Sequence, residues 1–138
     1  QLTNAMENMK NKGLKLLPGK VAEWLDCGNK DATVYTNQRV LELKYPENHI
    51  AADATITDSV IIPPCFIGTG ATVTQSVIGP HVSIGAQTKV EQSIIKNSII
   101  QTQCNIKQAA IANSMMGNNV LYKGQMADVS LGDYSVNN

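Results

Sequence analysis

Residues 50 to 122 follow a short period, and that period restricts the possible folds more than any other property of the chain. Large apolar anchors stand at Ile56, Ile61, Ile67, Val73, Ile78, Ile84, Val90, Ile95, Ile100, Ile106, Ile111, Met116 and Tyr122, at successive gaps of 5, 6, 6, 5, 6, 6, 5, 5, 6, 5, 5 and 6. Three gaps span 17 residues twice and then 16 twice, so the natural repeat is a coil of three short strands. Two places before the anchors stand Ala54, Ser59, Cys65, Ala71, Ser76, Val82, Thr88, Ser93, Ser98, Cys104, Ala109, Ser114 and Val120, all small or β-branched. Alternate strand residues point the same way, so each anchor and its small companion face inward together. The larger fills the interior and the smaller fits beside a corner.

Anchors one coil apart form three aliphatic columns: Ile56, Val73, Val90 and Ile106; Ile61, Ile78, Ile95 and Ile111; Ile67, Ile84, Ile100 and Met116. These columns predict a prism of triangular cross-section with about four coils spaced about 4.8 Å apart. Glycine follows the anchor at Gly68, Gly79, Gly85 and Gly117, where a tight corner can demand positive φ. One coil cannot stand alone, because its neighbours supply both the ladder hydrogen bonds and the far side of every inward side chain. The last coil needs a cover, and the tail offers Val129 and Leu131 as a C-terminal cap.

Before the repeat the chain is built differently. Residues 1 to 49 carry seven basic and six acidic side chains, whereas residues 50 to 138 carry four and five. The turn-like KYPENH around Pro46 marks the change, dividing the chain into residues 1–46 and 47–138. The first part reads as helix, hairpin, helix. Thr3 or Asn4 caps a short helix that carries Ala5, Met6 and Met9 on one side and ends at Gly13. LKLL and KVAEWL flank the turn dipeptide Pro18-Gly19 and predict an antiparallel pair. Asn29 or Asp31 then caps a second helix in which Ala32, Tyr35, Arg39 and Leu43 follow helical spacing.

Composition removes several functional classes. Net charge is zero and the basic residues are scattered singly, so the electrostatic footprint of a nucleic-acid partner is missing. No apolar run reaches the length of a membrane span, and QLTNAMENMK lacks the layout of a signal peptide. The expectation is a cytoplasmic protein. Cys27, Cys65 and Cys104 are odd in number and far apart, which excludes a disulfide framework and a Cys-x-x-Cys site. Cys65 and Cys104 both occupy the small inward position and read as compact buried side chains. The first residue is Gln, which suggests that these residues begin inside a longer polypeptide.

Isoleucine-glycine hexads such as IGTGAT and IGPHVS resemble the hexapeptide repeats of left-handed parallel β-helices, and the match covers about residues 50 to 122. Left-handedness is implied by this resemblance alone, since parallel crossovers in general favour the right hand. Hexapeptide helices occur chiefly in acyltransferases and in sugar-phosphate nucleotidyltransferases. The preceding segment, KVAEWLDCGNKDATVYTNQRVL, is similar to the closing part of a glucose-1-phosphate nucleotidyltransferase-like catalytic domain: Trp-x-Asp-x-Gly, then a helix, then the β-helix.

The resemblance implies a mainly β chain, a left-handed β-helix preceded by a small α/β remnant of that catalytic domain. It implies a parent enzyme that joins a nucleoside triphosphate to a sugar 1-phosphate and releases pyrophosphate. The matching Asp26 would help to hold Mg²⁺ beside the phosphates, where a metal with hard oxygen ligands offsets gathering anionic charge. The family's glycine-rich phosphate loop does not occur in residues 1 to 49, so no catalytic residue is assigned within this chain and it is expected to be inactive by itself. Its β-helix would serve assembly, as a homo-oligomer, or regulation.

Two other readings stand beside this one. In a hexapeptide acyltransferase His81 would take a proton from the acceptor; the simpler reading of His81 is an exposed corner histidine. Anchor gaps that never exceed six leave no room for the loop that walls an acceptor pocket in such enzymes. A non-catalytic oligomerisation module is the third reading, suited by the Gln, Asn, Ser and Thr of the outer positions. Without the resemblance, Asp26 reads as a strand-end carboxylate in a turn or helix cap, Trp24 as core against a sheet, and Lys10, Lys12, Lys15 and Lys20 as a solvated face.

Overall fold

The computed structural model describes all residues except 126, 128, 131, 137 and 138. Two helices, α1 (Leu2–Asn11) and α2 (Lys30–Lys44), precede fourteen short strands among the described residues. In chain order these are β1 (Asn48–Ile50), β2 (Thr55–Thr57), β3 (Val60–Ile61), β4 (Cys65–Ile67), β5 (Thr72–Thr74), β6 (Val77–Ile78), β7 (Val82–Ile84), β8 (Lys89–Glu91), β9 (Ile94–Lys96), β10 (Ser98–Ile100), β11 (Asn105–Lys107), β12 (Ala110–Ala112), β13 (Met115–Met116) and β14 (Leu121–Lys123). Every pairing is parallel and links a strand to the third one along, giving three sheets in the orders β1-β4-β7-β10-β13, β2-β5-β8-β11-β14 and β3-β6-β9-β12. The result is a parallel β-solenoid of about four coils, matching the left-handed β-helix expected from the hexads.

The three anchor columns are the observed registers. Ile56 pairs with Val73, Val73 with Val90, and Val90 with Ile106. Ile61, Ile78, Ile95 and Ile111 align on the second sheet, and Ile67, Ile84, Ile100 and Met116 on the third. Ile67, Ile78, Ile84, Ile95, Ile100 and Ile106 are fully buried, and each contributes about 1.5–3 kcal/mol of transfer free energy. The third column starts one coil earlier than the repeat indicated, because β1 places Ile50 opposite Ile67. Asn48 stands there instead of a small residue, and its Oδ1 accepts from the Cys65 N–H at 2.9 Å.

The small inward position does more than fit a corner. Where it is serine, the hydroxyl donates to the carbonyl two residues earlier and accepts the amide of the next coil: Ser76 Oγ donates to Thr74 O at 2.7 Å and accepts from Ser93 N at 3.0 Å. Ser59, Ser93 and Ser98 repeat the arrangement. The amide of Ser93, buried in a corner that the strand ladders do not reach, is thereby satisfied.

The glycine expectation holds at Gly79, with φ of +111, but not at Gly68, Gly85 or Gly117, which lack positive φ. Gly68 and Gly85 are demanded by close approach instead: a Cβ on Gly85 would lie 2.6 Å from the Gln101 carbonyl carbon of the next coil. Left-handed corners fall largely to amides, with Gln75, Gln92 and Gln108 at φ of +48, +49 and +50. Gln92 donates to Gln75, and Gln108 to Gln92, each at 3.3 Å. This side-chain ladder helps to offset the cost of the backbone conformation.

The first part departs from expectation more strongly. No strand forms between residues 12 and 29, so the hairpin about Pro18-Gly19 is absent and the part is two helices joined by an irregular segment, not an α/β unit. Leu14, Leu17 and Val21 are exposed, and a two-stranded ribbon without a surface to pack on is marginal. Helix α1 buries no residue, and its N-cap is Gln1 without a side-chain hydrogen bond, in place of Thr3 or Asn4.

Helix α2 is capped by Asn29, whose side chain accepts from Ala32 N. It packs on β7 and β10. Its buried residues are Val34 and Leu41, whereas Tyr35 and Leu43 of the expected stripe are 54% and 63% exposed. Both stripes satisfy the helical period, and only docking on the sheet selects one. At the far end of the solenoid Leu121, Tyr122 and Val129 are exposed, so Val129 does not seal the last coil; Leu131 lies outside the described residues. No helix among the described residues is long and apolar enough to cross a membrane.

Candidate functional site

Asp26 lies in the turn that leads into α2. Its Oδ1 accepts from the Cys27 N–H at 2.8 Å, and its carbonyl accepts from Thr36 Oγ1 at 2.6 Å. Thr33 Oγ1 donates to Asn29 O at 2.7 Å and reaches Cys27 O at 3.3 Å. The first two turns of α2 thus hold the backbone on both sides of Asp26 while the residue remains exposed. The carboxylate takes part in the turn, and the cap of the helix is Asn29.

Among the described residues no group of three or more His, Cys, Asp or Glu side chains could hold a metal ion. Asp26 is a lone carboxylate with one oxygen already engaged, and Mg²⁺ demands a near-octahedral oxygen shell. The described residues therefore do not make a magnesium site by themselves.

Helix α2 crosses the β1-β4-β7-β10-β13 sheet from its last strand to its first. Lys30 Nζ donates to Asn113 O at 3.0 Å, just before β13. Asn37 Oδ1 accepts from Ser83 Oγ of β7 at 2.6 Å, and the Tyr45 ring lies 4.9 Å from His49 and 6.0 Å from Phe66 on β1 and β4. His49 stacks on Phe66 at 5.1 Å.

His81 is not the freely exposed corner residue expected. Its φ is +63, its side chain is 21% exposed, and Nε2 lies 3.0 Å from Glu42 Oε1. Glu42 also accepts from Gln38 Nε2 at 3.1 Å and from Arg39 Nη1. Those bonds, Gln38 first and Arg39 next, hold its carboxyl below the usual range. Arg39 forks onto Glu23 through Nε at 2.7 Å and Nη2 at 3.1 Å, which lowers the Glu23 pKa and raises that of Arg39.

The spacing of Gln38, Arg39 and Glu42 at three and four residues is a helix-surface signal that reading Arg39 as part of an apolar stripe obscures. Glu23 has no local signal at all, being 16 residues from its partner.

The remaining candidates divide cleanly. Cys65 is buried, its thiol donates to Ile62 O at 3.1 Å, and burial pushes its pKa up. Cys104 is buried and donates to Gly117 O at 3.0 Å. Cys27 is free and exposed beside Asp26. Trp24 is 81% exposed instead of forming a core, and Lys10, Lys12, Lys15 and Lys20 are exposed.

Fold and site together define a hexapeptide-repeat β-helix carrying a docked N-terminal helix. Residues 45–97 match the family model described as GlmU-like, C-terminal hexapeptide. No curated protein matches the chain. Among solved structures it is similar to a serine acetyltransferase isoform 3 from Entamoeba histolytica, crystallised in complex with cysteine, at 14% identity and a TM-score of 0.37. That match covers 78% of this chain and 51% of the other, so the chain spans about half the length of that enzyme.

Proposed function

We propose that this chain is the C-terminal part of a cytoplasmic sugar-1-phosphate nucleotidyltransferase whose β-helix serves assembly or regulation. The observation that carries the reading is the Trp24-Leu25-Asp26-Cys27-Gly28 turn, held by Thr33 and Thr36 on a helix that lies along the β-helix. In the parent enzyme Asp26 would supply one carboxylate to Mg²⁺, and the other ligands would come from catalytic elements outside these residues. The metal would offset charge as the sugar 1-phosphate attacks the α-phosphorus of the nucleoside triphosphate. Assembly is supported by the outer face of β3-β6-β9-β12, where Val60 and Ile94 are 56% and 58% exposed on either side of Val77. A second copy could cover this ridge.

The test begins with the intact mass of the polypeptide as its source organism makes it. A parent larger by about 200 residues is then assayed for Mg²⁺-dependent pyrophosphate release with a panel of sugar 1-phosphates. Asp26→Ala is expected to lower turnover by about a hundredfold, and unchanged turnover would remove Asp26 from the reaction. Light scattering on the 138-residue chain tests assembly, and a strict monomer at high concentration would count against it. The pairing of His81 with Glu42 keeps the acyltransferase reading testable. Tight acetyl-CoA binding by calorimetry, lost in His81→Ala, would replace the first reading.

A further inference from the structure

Between Gly13 and the start of α2 the chain has few attachments. Among the described residues, 15–28 make no backbone-to-backbone hydrogen bond, and Leu17, Val21 and Trp24 are exposed. Ahead of the Thr36 bond to Asp26 O, the strongest hold on this segment is the two-pronged bond from Arg39 to Glu23, three residues before Asp26. Arg39 is itself fixed from the other side. Its Nη1 donates to Glu42, and Glu42 meets His81 Nε2 at 3.0 Å. The chain His81, Glu42, Arg39, Glu23 thus runs from a β-helix corner, through α2, to the irregular segment.

We infer that Arg39 is a positioning residue for Asp26, setting where the Glu23–Gly28 segment stands on the β-helix through a fork on Glu23 that His81 aligns by way of Glu42. The geometry supports a directed tether over a general surface attraction. A guanidinium fork on one carboxylate fixes both distance and plane, and the second carboxylate, pinned by Gln38 and His81, fixes the guanidinium. Without Arg39 the two glutamates would face each other unscreened, and the Glu23 segment would leave the helix. The role of Asp26 in this inference rests on the nucleotidyltransferase reading, whereas the tether is a property of the chain itself.

The rate of chymotryptic cleavage after Trp24, the single tryptophan, followed by mass spectrometry on the 138-residue chain, tests it. Arg39→Gln is expected to speed that cleavage roughly tenfold, since a protease needs the segment to lift from its support. Glu23→Gln, which alters only the exposed end of the tether, should do the same while leaving the urea midpoint of the coils unchanged. His81→Asn keeps a residue suited to the left-handed corner and should speed cleavage after Trp24 by a few-fold, with no further effect in an Arg39→Gln background. Unchanged cleavage after Trp24 in Glu23→Gln, or additive effects of His81→Asn and Arg39→Gln, would overturn the inference. Because these readouts need no turnover, a parent enzyme that released no pyrophosphate would remove the role of Asp26 and leave the tether standing.

Discussion

The coils and the segment between the two helices are both rich in aliphatic residues, yet only the coils bury them. Ile67, Ile78, Ile84 and Ile95 are fully enclosed, while Leu14, Leu17, Val21 and Trp24 are exposed. The difference is partnership, not hydrophobicity. Each coil finds, one repeat away, a strand of the same spacing whose anchor, corner hydroxyl and backbone are already in register. The segment has no repeat to lie against, and its main fixed points are polar: the Arg39 fork on Glu23 and the Thr36 bond to Asp26.

The contrast breaks most severely if a central anchor is removed. Ile84→Ala should cost about 2–5 kcal/mol, read as a lower denaturation midpoint in urea, because no neighbour can close the cavity without moving a ladder. Gly85→Ala should cost about 1–3 kcal/mol by overpacking, since its new Cβ would meet the backbone of the next coil at 2.6–2.9 Å. Ser76→Ala should cost about 1–3 kcal/mol by leaving the Ser93 amide without its acceptor. Slower exchange at that amide than in the wild type would contradict the hydroxyl relay. Smallest of all, Leu17→Ser should move the midpoint by no more than about 0.5 kcal/mol. A larger loss would show that the segment packs on something in solution.

The same contrast explains what could be read from the residues. Parallel coils repeat one local geometry, so a 16- or 17-residue spacing of anchors predicts the pairing of Val73 with Val90 or Ile78 with Ile95 directly. Ile50 falls outside the pattern because Asn48 breaks the small-residue rule, replacing the small side chain with an acceptor. The corners carry a mixed signal: glycine reports close approach of the next coil at Gly85, while glutamine amides take the left-handed positions.

In α2 the sequence offers two stripes of helical period, and the choice of Val34 and Leu41 over Tyr35 and Leu43 depends on a sheet 40 or more residues away, where Ser83 meets Asn37. At the candidate site, Asp26 and His81 were visible as isolated residue types. The tether between their neighbourhoods was not, because Glu23 to Arg39 and Glu42 to His81 are contacts that only the docked helix creates.

Helix α2 runs across the whole β1-β4-β7-β10-β13 face, from Asn113 to the ring pair His49 and Phe66, and this gears two lattices of different pitch together. A helix advances about 1.5 Å per residue and a stack of parallel strands about 4.8 Å per coil, so one coil corresponds to roughly three residues of helix. Coils added or deleted within the span that α2 covers would put Lys30, Asn37 and Tyr45 out of phase with their partners unless the helix changed length in step. Coils added beyond β13 would not. The solenoid is therefore free to grow at only one end, and the helix acts as the gauge that fixes the length of the other.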